Sequence, residues 1–130
     1  MFDNTLDLDG PIPAMSLIDT NEGESTRRVN LGGGDSHELH VRRQETAENK
    51  GIITDRYQVR VDSIFTDSIT AKPIRGSASL VLAYPRHTRF GNPEMQTLSR
   101  AAIAFFTGGL PPEYVTTLNA QLLRIFNGEL

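Results

Sequence analysis

A chain of 130 residues with a formal charge of −3 and no cysteine can bury about two thirds of its unfolded surface, and it excludes disulfides, thiolate nucleophiles and Cys-ligated zinc. The N-terminus reads MFDNTLDLDG, with no basic segment ahead of an apolar run, and no apolar stretch nears the roughly 20 residues of a membrane helix; the expectation is a soluble chain that is not exported. The net charge argues against a generic nucleic-acid binder, but its distribution is uneven. Asp3, Asp7, Asp9, Asp19, Glu22 and Glu24 crowd the first segment, whereas Arg27, Arg28, Arg42, Arg43, Arg56, Arg60, Lys72, Arg75, Arg86, Arg89 and Arg100 fill the middle, so a local basic field can exist on an acidic protein.

In chain order, AMSLIDT (14–20) and STRRVNL (25–31) flank Asn21-Glu22-Gly23-Glu24, which predicts a hairpin. LGGGD (31–35) is too glycine-rich for a strand interior and reads as a loop. HELHVRRQ (37–44) alternates polar and apolar residues, ETAENKG (45–51) connects, and RYQVRVDSIF (56–65) alternates again. A loop over 66–76 leads to SASLVLAY (77–84), stopped by Pro85. Five strands are expected, and a sixth if part of residues 2–9 pairs.

The period then changes to that of a helix. Asn92 is the expected N-cap, Pro93 the first helical residue, and Gly108-Gly109 the stop. Met95, Leu98, Ala102, Phe105 and Phe106 recur at three and four. Pro111-Pro112 restarts the chain for a second helix with the stripe Tyr114, Val115, Leu118, Leu122, Ile125 and Phe126. The fold class is therefore α+β: an N-terminal β-hairpin and antiparallel sheet followed by two C-terminal α-helices, in one domain over 1–130 that divides into a hairpin region (1–35), a central sheet (36–85) and the helices (92–127). AAIAFF (101–106) is apolar nearly all the way round, and one sheet contact cannot cover both helices unless they pack fully on it; a partner chain is the other cover.

Strand alternation sorts the side chains into two faces. Glu38, His40 and Arg42 share one face and Leu39 and Val41 the other; Arg56, Gln58, Arg60 and Asp62 stand against Tyr57, Val59, Val61 and, less regularly, Ile64; Ser77 and Ser79 stand against Ala78, Leu80, Leu82 and Tyr84. If the three strands are neighbours, His40, Arg42, Gln58, Arg60, Ser77 and Ser79 form a platform of donors suited to phosphate and base edges. A one-sided antiparallel sheet has a polar outer face in any case, and Glu38 and Asp62 can pair with neighbouring arginines across strands.

Catalytic patterns are weak. His37 and His40 point to opposite faces of a strand, HELH lacks the helical spacing of a zinc protease, and GGGDS is followed by no helix and no Lys-Ser/Thr pair. Asp55 with Asp62, or Glu38 with Asp62, could form an acid/base pair only within a cleft. No enzymatic activity, cofactor or metal is expected.

The order hairpin, long antiparallel strands, two helices joined by a Gly/Pro break resembles the coat proteins of small single-stranded RNA bacteriophages of the levivirus type. Local text agrees: HVRRQETAEN followed by RYQVRV is similar to the family's central strands, SASLVLAYP to its last strand, and LLRIFNGEL to its C-terminal helix. The resemblance implies a capsid protein found in the virion and assembled in the cytoplasm of a bacterial host. It implies an intertwined homodimer, sheets joined edge to edge and helices reaching over the partner's strands, that closes into an icosahedral shell. Ala102, Phe105, Phe106, Leu118, Leu122 and Phe126 would lie at that dimer interface, and the 66–76 loop would line symmetry axes. It further implies that His40, Arg42, Gln58, Arg60, Ser77 and Ser79 bind genomic RNA, and that an RNA hairpin can be captured in translational repression, although Ser77 stands where the family can offer a stacking ring. The alternative is a dimeric helix-on-sheet module that binds a small molecule or a protein partner.

Overall fold

The computed structural model describes residues 5–6, 12–47, 50–109 and 111–129. Among these described residues six strands, β1 (Thr5–Leu6), β2 (Met15–Asn21), β3 (Glu24–Gly32), β4 (Asp35–Thr46), β5 (Thr54–Thr66) and β6 (Pro73–Pro85), precede the helices α1 (Asn92–Thr107) and α2 (Pro112–Phe126). The strands hydrogen-bond in chain order as one antiparallel sheet, so the chain is α+β, sheet first and helices after. The sixth strand is β1, whose Thr5 and Leu6 lie opposite Ser16 and Met15; the rest of the acidic 2–9 segment lies outside the described residues.

The β2–β3 hairpin forms where the sequence places it, with Asn21 opposite Glu24. Gly23 is obligatory there: its φ is 75°, and a Cβ would sit 2.9 Å from the Arg43 carbonyl oxygen. That closeness arises because the Arg43 N–H donates to the Gly23 carbonyl at 2.7 Å. The expected loop at 31–35 is instead a tight hairpin. Gly32 lies opposite Asp35, and Gly33 and Gly34 have φ of 63° and 87°, the two positive values that a two-residue turn of the right twist requires. The glycines that weaken a strand are the residues that make this turn.

The 66–76 loop is likewise shorter than expected, because β5 runs to Thr66 and β6 starts at Pro73. What remains is closed by Asp67, whose N–H donates to the Lys72 carbonyl at 2.9 Å and whose carboxylate accepts from the Ile69 N–H at 3.0 Å and the Thr70 hydroxyl at 2.7 Å. The Ile69 and Thr70 donors hold the Asp67 carboxyl below its ordinary pKa.

Helix α1 begins one residue earlier than expected. Gly91 is the N-cap, and its N–H donates to the Glu94 carboxylate at 2.8 Å. The Asn92 side chain is engaged elsewhere, its Oδ1 accepting from the Tyr84 hydroxyl at 2.9 Å. Burial, with the Glu94 charge, raises the Tyr84 pKa. At the far end Gly108, with φ 74°, closes the helix by donating to the Ala104 carbonyl.

The chain forms two units from interleaved segments. One comprises Phe2–Arg43 and Gln58–Val81; its core is Met15, Leu39 and Val41, against which Ile12, Val29, Val59 and Val61 pack. The other comprises Gln44–Tyr57 and Leu82–Glu129, and buries Tyr57, Leu82, Met95, Leu122 and Ile125. There the Phe126 ring meets Tyr57 and Tyr84 with centroids 5.3 and 5.1 Å apart, which fixes the end of α2 onto strand residues. Among the described residues no helix is long and apolar enough to cross a membrane.

Candidate nucleic-acid interface

The polar face predicted for β4 and β5 exists, and its centre is a buried pair of carboxylates. Glu38 is 4% exposed and Asp62 is fully buried. Buried charges persist only when paired and hydrogen-bonded, and the partners come from four strands. On β3, directly opposite Glu38 in register, Arg28 donates from Nε to Glu38 Oε1 at 3.0 Å. On β4, His40 Nε2 lies 3.0 Å from Glu38 Oε2 and 3.4 Å from Asp62 Oδ2. Arg60, on β5, places Nε 3.1 Å from Asp62 Oδ1, an ion-pair contact too poorly aligned to satisfy either atom as a hydrogen bond. On β6, Arg75 donates to Asp62 and reaches Glu38 Oε2 at 3.6 Å.

The arrangement presents charge rather than hiding it. The guanidinium side chains of Arg28, Arg60 and Arg75 are 41%, 41% and 52% exposed. Each is gripped at one edge by a buried carboxylate, and because guanidinium offers five N–H donors, the outer donors stay available to a ligand. Burial by itself would raise the Glu38 pKa, but the hydrogen bonds and charges of Arg28 and His40 outweigh it and hold the carboxyl below its ordinary 4.5. A depressed folded-state pKa contributes stability above the unfolded value and loses it as pH falls through the folded value. Acid titration of the folded protein below about pH 4.5 is therefore expected to show a stability loss that Glu38→Gln flattens; urea midpoints measured down the pH series check this, and an unchanged slope in the variant would refute it.

Of the six residues read from sequence, His40 and Arg60 belong to this cluster. Arg42 lies two residues beyond His40, exposed and opposite Glu24 of β3; Gln58 is two residues before Arg60 and half-buried; Ser77 and Ser79 follow Arg75 along β6, both exposed. By strand alternation all six share the cluster's face. Arg28, Thr26 and Arg75 escape the sequence reading. Pro73 and Gly76 flank Arg75 and suggest a loop, yet edge strands tolerate both residues. The other face also holds as read: His37 turns away from His40, with its Nδ1 2.8 Å from the Ser63 hydroxyl and its ring edge-on to Phe65 at 5.9 Å. Ser63 and Phe65 rather than Ile64 thus continue that face. Arg27, the neighbour of Arg28, is fully buried there and donates to Ser25 Oγ at 3.1 Å.

The Glu38, His40 and Asp62 ligand atoms lie within 4.8 Å of one another, near enough for one cation. Charge opposes that use: three guanidiniums already surround two carboxylates, and a divalent ion would have to displace Arg75. The acid/base candidate Asp55 is committed elsewhere, accepting two Arg86 N–H groups, each at 2.9 Å, while the same guanidinium also binds Glu45. A shallow hollow beside His87 is lined by Ile52, Pro85, His87, Arg89 and Phe90, a set with no carboxylate or hydroxyl to partner the imidazole.

The six helical residues assigned to a dimer interface divide in two. Phe105 and Phe106 are each 84% exposed and stack edge to face with centroids 5.7 Å apart; Ala102 and Leu118 are half-buried. Leu122 is 3% exposed and Phe126 rests on Tyr57 and Tyr84, so these two already serve the chain's own core. No protein-family model matches the chain, and no curated protein matches it.

Proposed function

We propose that the chain is the coat subunit of a small RNA virus of the bacteriophage type: a homodimer that builds an icosahedral shell and holds genomic RNA on the guanidinium-bearing sheet face. The observation that carries this reading is the uncovered aromatic end of α1, where Phe105 and Phe106 stand 84% exposed directly after an all-antiparallel sheet. Large apolar side chains clustered in water mark an association surface. Two further features support it. The last strand of the order, β6, runs 13 residues and is exposed along most of its length, an open edge of the kind that pairs with another chain. The cluster on β3 to β6 presents forked donors at a spacing set by strands, which suits a phosphodiester backbone.

In this reading the shell and the RNA contact are the whole activity, with no reaction catalysed. RNA capture is general rather than built on one hairpin, because the exposed positions at Ser77 and Ser79 supply hydroxyls and no ring. Purified protein should appear as regular particles by electron microscopy, with an absorbance ratio showing packaged nucleic acid; a plain monomer or dimer indifferent to RNA removes the proposal. Arg60→Ala, Arg75→Ala and Arg42→Ala should each leave dimers intact, lower RNA content, and reduce the salt slope of single-stranded RNA binding by about 0.7 for each phosphate that is no longer neutralised. Wild-type slopes in all three variants would show that RNA sits elsewhere.

A further inference from the structure

We infer that the Glu38–His40–Asp62 cluster is a proton-linked phosphodiester site, in which a proton taken up by His40 tightens the grip of Arg28, Arg60 and Arg75 on an RNA backbone. The inference rests on the RNA-binding reading and adds its regulation.

The geometry lets His40 change charge without moving. Its Nε2 faces Glu38 Oε2 at 3.0 Å and Asp62 Oδ2 at 3.4 Å, while Nδ1 lies 3.2 Å from the Thr26 hydroxyl. A hydroxyl both donates and accepts. With neutral imidazole, Nε2–H donates to the carboxylates and Nδ1 accepts from Thr26; with imidazolium, Nδ1–H donates and the Thr26 hydroxyl turns over. Both protonation states are fully hydrogen-bonded in the same rotamer, and histidine is the side chain whose charge changes between about pH 5 and 8.

The charges facing His40 make the proton consequential. Arg28 and Thr26 come from β3, Glu38 from its own strand, Arg60 and Asp62 from β5, and Arg75 from β6. Arg42 and Glu24, directly opposite each other at the margin, offset one another. Three guanidiniums against two carboxylates leave one positive charge, and a proton on His40 makes it two. The imidazolium also takes a larger share of the carboxylates' attraction, which loosens their hold on the arginines and turns the outer donors toward a ligand. Linkage requires the reverse as well: a phosphodiester bound to the guanidiniums must raise the proton affinity of His40.

The test is the affinity of a single-stranded RNA oligonucleotide, at fixed ionic strength, from about pH 8 to pH 5.5. Calorimetry in two buffers of different ionisation heat counts the protons taken up. Wild-type protein should bind about fivefold more tightly or better at the acid end, with net proton uptake. His40→Gln, whose amide can still donate to Glu38 and accept from Thr26, should lose both the pH dependence and the uptake. His37→Gln should keep them. Should His40→Gln fold poorly, the NMR titration of the His40 ring in wild-type protein serves: its midpoint must rise when RNA is added. Binding that is flat in pH, or a midpoint unmoved by RNA, overturns this inference and leaves the RNA-binding reading standing. Absence of RNA binding at every pH overturns both.

Discussion

If the proposed coat dimer closes over the end of α1, replacing Phe105 and Phe106 together by Asp should yield a folded monomer that forms no particles. Both rings are 84% exposed in the isolated subunit, so the subunit's own fold gains little from them and its circular dichroism should be unchanged. In the dimer each ring would be removed from water, which is worth about 1.5–3 kcal/mol per Phe, and a carboxylate in its place adds a desolvation cost. A homodimer loses four such rings, so the expected loss is about 6 kcal/mol or more, a rise in dimer Kd of about ten-thousandfold or more. Sedimentation and light scattering across a concentration series measure it. A double variant that dimerises as tightly as wild type would show that the end of α1 is not where chains meet, and the shell proposal would lose its main support.

The second large effect is expected inside the sheet. Asp62→Ala removes a fully buried carboxylate that binds Arg75, lies 3.1 Å from Arg60 and 3.4 Å from His40. Breaking a buried pair by deleting one partner costs about 3–5 kcal/mol, because the surviving charge is left without compensation. Here the surviving guanidiniums are half exposed and can turn to water, which places the expected cost nearer about 2–3 kcal/mol. Asp62→Asn keeps the shape and removes the charge, so it should lie between wild type and Asp62→Ala. Urea midpoints at pH 7 rank the three proteins. A destabilisation within about 0.5 kcal/mol, the range of an ordinary surface substitution, would mean that Asp62 is not the anchor of the cluster.

The cluster also shows where sequence reasoning stops. Alternation in HELHVRRQ and RYQVRVDSIF correctly groups Glu38 with His40 and Asp62 with Arg60, and it anticipates that both carboxylates meet arginines across strands. It does not say which arginines. Two adjacent ones, Arg27 and Arg28, point to opposite faces of β3, and a regular two-residue hairpin around Gly33-Gly34 would set Arg27 opposite His40. The observed register instead sets Thr26 opposite His40 and Arg28 opposite Glu38, because it shifts by one between Asn30 and Gly32. A one-residue shift exchanges every side chain between faces. That irregularity buries Arg27 on the apolar side and brings Arg28 to the carboxylates.

From its sequence alone this chain is an α+β protein whose strands each carry one apolar and one polar face and whose helices carry more apolar surface than one contact covers. Those properties follow from residue spacing, since the periods of strand and helix are fixed by local backbone geometry. The partners of Glu38 and Asp62, the membership of Arg28 and Arg75, and the division of the α2 stripe into core and surface were decided by tertiary structure. Each depends on a register or a packing contact between segments distant in the chain, and no local period records which residue a fold will bring opposite another.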